Sequence, residues 1–248
     1  MIQTHKQLTD RLNKAMMDEY IAVSPTQNPL AQQLPKLDNL SLREVVCQYT
    51  IFPRSIVSLL STARDTAREC GWNEVDVELT RNIGEELGTE TEGLTHYQML
   101  VRGLEFVVMP YIARKLSRLE PNKHTGQFIW QMDRVVSGKP HYALGGTYAL
   151  ECSAVPELVL VKHAIETFHK RATGRDLAPR GSLMEFFDLH IGTWEPDHEE
   201  GLRETTAKYV TTEADQKLFE QGFRDVMETM DTWWTGLLDE SQAPTCSV

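Results

Sequence analysis

His190-Ile-Gly-Thr-Trp-Glu-Pro-Asp-His198 sets two histidines, two carboxylates and a proline within nine residues, and an apolar Leu183-Met-Glu-Phe-Phe187 run leads into it. Histidine and carboxylate donors together suit redox-active iron or manganese, whereas a thiolate set points to zinc or iron–sulfur. On a regular helix positions 190, 194, 197 and 198 share a face and Glu195 falls off it, which makes Asp197 the carboxylate beside the histidines. Pro196 alters that geometry. It lacks the N–H that would bond residue 192 and its ring crowds that turn, favouring a kink or a π-bulge, and a π-bulge swings Glu195 towards His190 and His198. Both carboxylates stay candidates, with Glu195 preferred. Alone, such a cluster is equally a solvated helix face, so the rest of the chain has to supply partners.

Around this stretch helical periodicity dominates and strand alternation is nearly absent, so the fold class is all-α. A first helix is predicted over Lys6–Tyr20, followed by a polar connection through Pro25, Pro29 and Pro35. Ser41-Leu-Arg-Glu44 has the capping-box pattern and opens a helix towards Gly71, interrupted at Pro53. Asn73 is placed to cap a helix ending near Leu87. The glycine-bearing segment Gly88–Thr95 breaks the helix, which resumes at His96 and runs with interruptions, Pro110 among them, to Leu119. Further helices are predicted over Gly126–Val136, His141–Arg171 and Ser182–Glu200, and a last one capped by Thr212 carries Trp233 and Trp234 on a broad apolar face.

The 248 residues form one expected domain, 1–240, with a short disordered tail, 241–248. The net charge of −11 has no compensating basic stripe and argues against nucleic acid or an anionic membrane as partner. Cys47, Cys70, Cys152 and Cys246 are scattered and form no Cys-x-x-Cys pair, as expected of free thiols in a reducing cytoplasm. No run approaches the length of apolar sequence that a membrane span needs. A homodimer is the expectation from base rates.

Three segments offer partners for the opening cluster. In Asn82-Ile-Gly-Glu85-Glu86-Leu-Gly88, followed by His96, a straight helix would hold Glu86 and His96 about 15 Å apart, too far to share one centre, and the glycine-bearing stretch lets the chain turn back. The bland alternative is a helix end with an exposed acidic pair. Glu151 lies among small and apolar residues in a predicted core helix, where a carboxylate has to be neutralised, paired or bound to metal. Glu166-Thr-Phe-His169 and Glu195-Pro-Asp-His198 together give two Glu-x-x-His motifs, the ferritin-like pattern. About 22 Å of helix separates Glu151 from Glu166, so one centre cannot use both. Glu151 is preferred, and Glu166 and His169 are read as surface polar residues.

Glu86 in its Asn-x-x-Glu-Glu-Leu-Gly setting, then His96, then Glu151 in Tyr-Ala-Leu-Glu-x-x-x-x-Pro-Glu, then His190 to His198 resembles the haem-oxygenase-like di-iron oxidases over about residues 40–200. The resemblance implies a haem-oxygenase-like bundle of seven helices holding two Fe(II) ions with O2 as co-substrate. Its implied ligands are Glu86, His96, Glu151, His190 and His198, with Glu195 or Asp197 as the last-helix carboxylate. The family usually spaces the last three ligands at i, i+4 and i+7. Here i+4 is Trp194 and the second histidine falls at i+8, so counting back from His198 puts Glu195 in the carboxylate's place, consistent with one inserted residue. Within the family the chain is most similar to a cyanobacterial nitrile-forming subgroup. That implies oxidative scission of an amino-acid substrate, 5,7-dibromo-L-tryptophan to 5,7-dibromoindole-3-carbonitrile, with an external electron donor. The competing classes are a metal-free small-molecule-binding module and a thiaminase-like hydrolase on the same bundle. For the hydrolase Cys152 beside Glu151 is the candidate nucleophile, and a buried structural thiol is the simpler account of it.

Overall fold

Apolar residues surround the helix α8, Pro140–Thr173, on nearly every side, and a helix of that kind must sit at the centre of its fold. The computed structural model of the chain describes residues 3–108, 116–178 and 181–241, and α8 is the axis around which they pack. It starts with Pro140 in its first turn and ends at Gly174 in the left-handed conformation, which makes Ala172-Thr-Gly174 the stop that the sequence predicts. By length and composition alone α8 could also cross a membrane, contrary to the sequence expectation, yet 78% of its apolar window is buried inside the bundle.

The other helices are α1 His5–Glu19, α2 Pro29–Gln33, α3 Asn39–Tyr49, α4 Ile51–Glu69, α5 Asn73–Glu86, α6 His96–Val108, α7 Lys123–Val136, α9 Ser182–Leu189, α10 Glu195–Thr206 and α11 Glu213–Ser241. No strand occurs among the described residues. A π-turn, His190–Trp194, joins α9 to α10 without a break, and a 3-10 turn spans Leu116–Arg118. The α11 helix lies along α8, and α3, α4, α7 and α10 also pack on it. The crossing of α8 and α11 is close because it is made at glycine: a Cβ on Gly145 would stand 1.9 Å from the Phe219 carbonyl oxygen. Trp233 and Trp234 are fully buried, as a packed helix face requires.

Several boundaries differ from the sequence expectation. Asp38, not Ser41, caps α3, its carboxylate accepting from the Ser41 N–H at 2.7 Å. The break falls at Thr50, because Pro53 lacks an N–H for the Tyr49 carbonyl and α3 therefore ends at Tyr49. Asn73 is the first residue of α5 and makes no cap; α7 starts earlier than expected, where Asn122 accepts from the Thr125 N–H. Thr212 and Asp215 cap α11 reciprocally. The short α2, opened by Asn28 and Pro29, has too few residues to show a period in sequence. Of the expected tail, Ser241 closes α11 and 242–248 lie outside the described residues, as do Pro110 and Cys246.

Candidate metal centre

Four helical segments deliver the site. Glu86 ends α5, the loop 87–95 turns the chain back, and His96 opens α6. The turn depends on Gly88, whose φ of 93° is left-handed and where a Cβ would meet the Leu94 carbonyl carbon and oxygen at 2.8 Å. Through it Glu86 Oε1 comes within 3.0 Å of His96 Nδ1, although ten residues separate them. Glu151 comes from the middle of α8. His190 starts the π-turn, and Glu195 and His198 follow on α10.

The π-turn decides which carboxylate faces inward. The Glu195 N–H bonds the His190 carbonyl, a five-residue step. On an unbroken α-helix His190 and Glu195 would point about 140° apart, and absorbing one residue brings this to about 40°. Glu195 is accordingly buried and Asp197 exposed. The Asp197 backbone carbonyl accepts from Arg81 Nη2 of α5 at 3.4 Å. Of the two carboxylates carried from the sequence, the structure thus brings Glu195 to the histidines and turns Asp197 away, because the regular-helix geometry that favoured Asp197 is not formed. Glu166 and His169 lie farther along α8, half-buried and apart from the cluster.

Glu86, His96, Glu151, His190, Glu195 and His198 are all buried. Two sets of donor atoms gather within 4.8 Å: Glu86, His96 and His190 in one, Glu86, Glu195 and His198 in the other. Glu86 belongs to both. Glu151 Oε2 approaches His198 Nδ1 at 3.3 Å, on the side where Glu195 Oε2 stands at 3.8 Å. The donors are prepared for a cation. His190 Nδ1 donates to the Phe186 carbonyl at 2.7 Å, which leaves Nε2 as a lone-pair donor. His96 Nε2 is buried without a hydrogen-bond partner among the described residues. Aromatic neighbours hold the rings: Trp194 stacks on His96 at 4.1 Å and Phe186 lies tilted against His190 at 3.9 Å, centroid to centroid.

Sequence reasoning missed Glu85. Its Oε2 lies 2.8 Å from His198 Nε2 and its Oε1 accepts from Arg81 Nη1 at 2.6 Å. A carboxylate on the outer nitrogen turns the other nitrogen, Nδ1, towards the cluster, the usual partner of a metal-binding histidine. The Glu85-Glu86 pair with Arg81 one turn earlier was the available signal, and it reads equally well as a solvated acidic helix end.

The electrostatics show the lack of positive charge. Burial alone would lower the His198 pKa, but hydrogen bonds to Glu151, Glu195 and Glu85 outweigh it and hold the ring protonated far above the ordinary range. That proton stands where a cation would. Burial pushes the Glu195 carboxyl up to about 7, against the hydrogen bond from His198, and the Glu151 charge adds to the rise. Burial also takes His190 down to about 3, so it is neutral, as a ligand must be. Glu86 is held below the usual range: burial would raise it, and the His96 ring outweighs that. Carboxylates with the neutral His190, and with His198 once a cation replaces its proton, fit ferrous ions.

Beside the cluster is a cavity of about 60 Å³, walled by Tyr49, Phe52, Leu150, Phe186 and Glu157 as well as by the candidate ligands other than His198. Cys152 is buried and its thiol is pushed well above the usual range by burial, so it offers no thiolate.

Residues 6–240 match the model of a family described as a domain of unknown function with a solved structure, DUF3865. Two crystal structures of a CADD-like protein of unknown function from Nostoc punctiforme PCC 73102 are similar to the chain. One, at 2.00 Å, has 33% identity and a TM-score of 0.86, covering 96% of this chain and 98% of that one. The other, at 1.35 Å, has 31% identity and a TM-score of 0.86, covering 98% of each. A TenA homologue from Pseudomonas syringae pv. tomato DC3000 shares the fold, with a TM-score of 0.60 at 16% identity over 94% of this chain and 92% of its own. No curated protein matches the chain in sequence. The fold is the all-α, haem-oxygenase-like bundle that the sequence predicts.

Proposed function

The chain belongs to the DUF3865 family, and from the site it carries we propose that it is a non-haem di-iron oxidase that uses O2 to cleave an amino-acid substrate. The observation behind this reading is that Glu86 is shared between two buried donor sets, each with its own histidine. A shared carboxylate is what a pair of metal ions about 4 Å apart requires.

In this proposal His96 and His190 would hold one iron and Glu195 and His198 the other, with Glu86 available to both, and Glu151 stands beside His198. Two bound ferrous ions supply the electrons and open positions for dioxygen activation, which no side chain can provide. The protein's share is orientation and dryness. The Phe186 carbonyl and Glu85 fix the tautomers of His190 and His198. Trp194 and Phe186 hold the rings in place, while Tyr49, Phe52 and Leu150 keep water from the cavity. An external electron donor belongs to the same reading.

The most specific form of the proposal is nitrile formation, 5,7-dibromo-L-tryptophan to 5,7-dibromoindole-3-carbonitrile. Its support is the resemblance carried by Glu86, His96, Glu151 and the His190–His198 stretch, with Glu195 as the inward carboxylate. The hydrolase alternative lacks its nucleophile, given the buried Cys152 thiol. The test is to load the protein anaerobically with iron, add plain and halogenated aromatic amino acids, admit air and analyse products by mass spectrometry. The carbonitrile from the dibrominated substrate is expected. A panel without any O2-dependent product would refute the oxidase reading.

A further inference from the structure

One acid beside the cluster has no part in the proposed metal centre. Glu157 lies six residues beyond Glu151 on α8, about 9 Å along the axis, and lines the same cavity as the ligands. It is 1% exposed. Its Oε1 accepts from Trp234 Nε1 at 2.5 Å, and no lysine or arginine is paired with it among the described residues. A carboxyl group buried this way either holds a proton or waits for a cation. In the free protein it holds the proton, burial pushing its pKa up to about 8.

Tyr49 and Phe52 line the same cavity, and Tyr49 packs against both Trp233 and Trp234, with centroids at 6.1 and 6.0 Å. Aromatic faces beside an acid form an environment that attracts an organic cation. The cavity of about 60 Å³ sets this acid and these rings beside the ligand residues. It has room for a small polar group such as an ammonium head. The half-buried Pro53, Ile56 and Ala154 mark the side on which the rest of a ligand extends.

We propose that Glu157 receives the primary ammonium group of the substrate, so that the site selects amines over isosteres without the positive charge. The inference deepens the oxidase reading and rests on it for the choice of aromatic amino acids as ligands.

Anaerobic calorimetry tests it with L-tryptophan, tryptamine and indole-3-propionate, which has the tryptophan skeleton without the ammonium group. Wild-type protein is expected to bind tryptophan at least about 10-fold more tightly than indole-3-propionate, and Glu157→Gln to lose about 10-fold or more of that preference. Gln keeps an acceptor for the Trp234 N–H, and an unchanged melting temperature would verify the fold. Trp234→Phe leaves the carboxyl group in place and should keep the preference. An undiminished preference in a folded Glu157→Gln protein would overturn the proposal, as would a wild type that binds neither tryptophan nor tryptamine. The same titrations on iron-free protein separate the two ideas. A preference that survives without iron and vanishes in Glu157→Gln supports Glu157 even if the oxidase reading fails. One that vanishes with the iron and ignores Glu157→Gln overturns the role given to Glu157 and leaves the oxidase reading standing.

Discussion

Deleting Gly192 isolates what the π-turn does. On an unbroken α-helix Glu195 and His198 would stand about 140° and about 80° from His190, and the one residue absorbed by the π-turn reduces these to about 40° and about 20°. Gly192 is exposed, and a Cβ there would meet nothing within 4 Å, so its removal disturbs no packing. With it gone the three side chains fall at i, i+4 and i+7 of a regular helix, the same angular relation, with an axial shift of at most about 1.5 Å. The deletion variant is therefore expected to bind about two irons per chain, as wild type does in this account. Its turnover should fall by up to about 100-fold, because displacements near 1 Å carry penalties of that order. An alanine inserted after Gly192 rotates Glu195 and His198 by about a further 100° and should abolish iron uptake. Elemental analysis after anaerobic loading, with circular dichroism to check folding, reads both variants. A folded deletion variant without iron would refute the reasoning, and so would an insertion variant that keeps both ions.

Three further outcomes follow from the same geometry. Glu85→Gln should weaken iron binding by about 10–100-fold in a chelator competition, since it weakens the acceptor on His198 Nε2; unchanged affinity would show that the pairing is incidental. Glu195→Ala should lower iron content while Asp197→Ala leaves it unchanged, and the reverse result would mean that the helix re-registers when metal binds. Glu157 predicts a pH dependence of stability: its pKa is raised from 4.5 to about 8 on folding, so its contribution is complete below 4.5, declines between 4.5 and 8 and is gone above. The melting temperature of Glu157→Gln relative to wild type should therefore rise from pH 5 to pH 8 and level off beyond it, and a flat difference would contradict the burial of an uncompensated acid.

How far the sequence could be read depended on whether the cause of a feature was local. Pro196 and the unusual spacing of His190, Glu195 and His198 pointed to the π-turn, because the loss of a backbone N–H acts within one turn. The return of the chain between Glu86 and His96 was likewise visible in Gly88 and Gly93. Asp38 was overlooked as a cap because Ser41 with Glu44 offers a competing local pattern, and only the backbone conformation at residue 38 separates the two. Glu85 carried only an ambiguous signal, since its role depends on α10 lying against α5, and the cation-free surroundings of Glu157 depend on α11 in the same way. Trp233 and Trp234 were read correctly as core, and the helical period could not indicate that Trp234 would hold an acid at the cavity wall.

The proposed centre requires two metal ions sharing Glu86. Crystals grown from anaerobically iron-loaded protein, with diffraction recorded on both sides of the iron absorption edge, test this directly. Two anomalous peaks about 4 Å apart are expected, one among Glu86, His96 and His190 and the other among Glu86, Glu195 and His198. A single peak away from Glu86, or no peak in a cluster whose side chains keep the arrangement described, would contradict it.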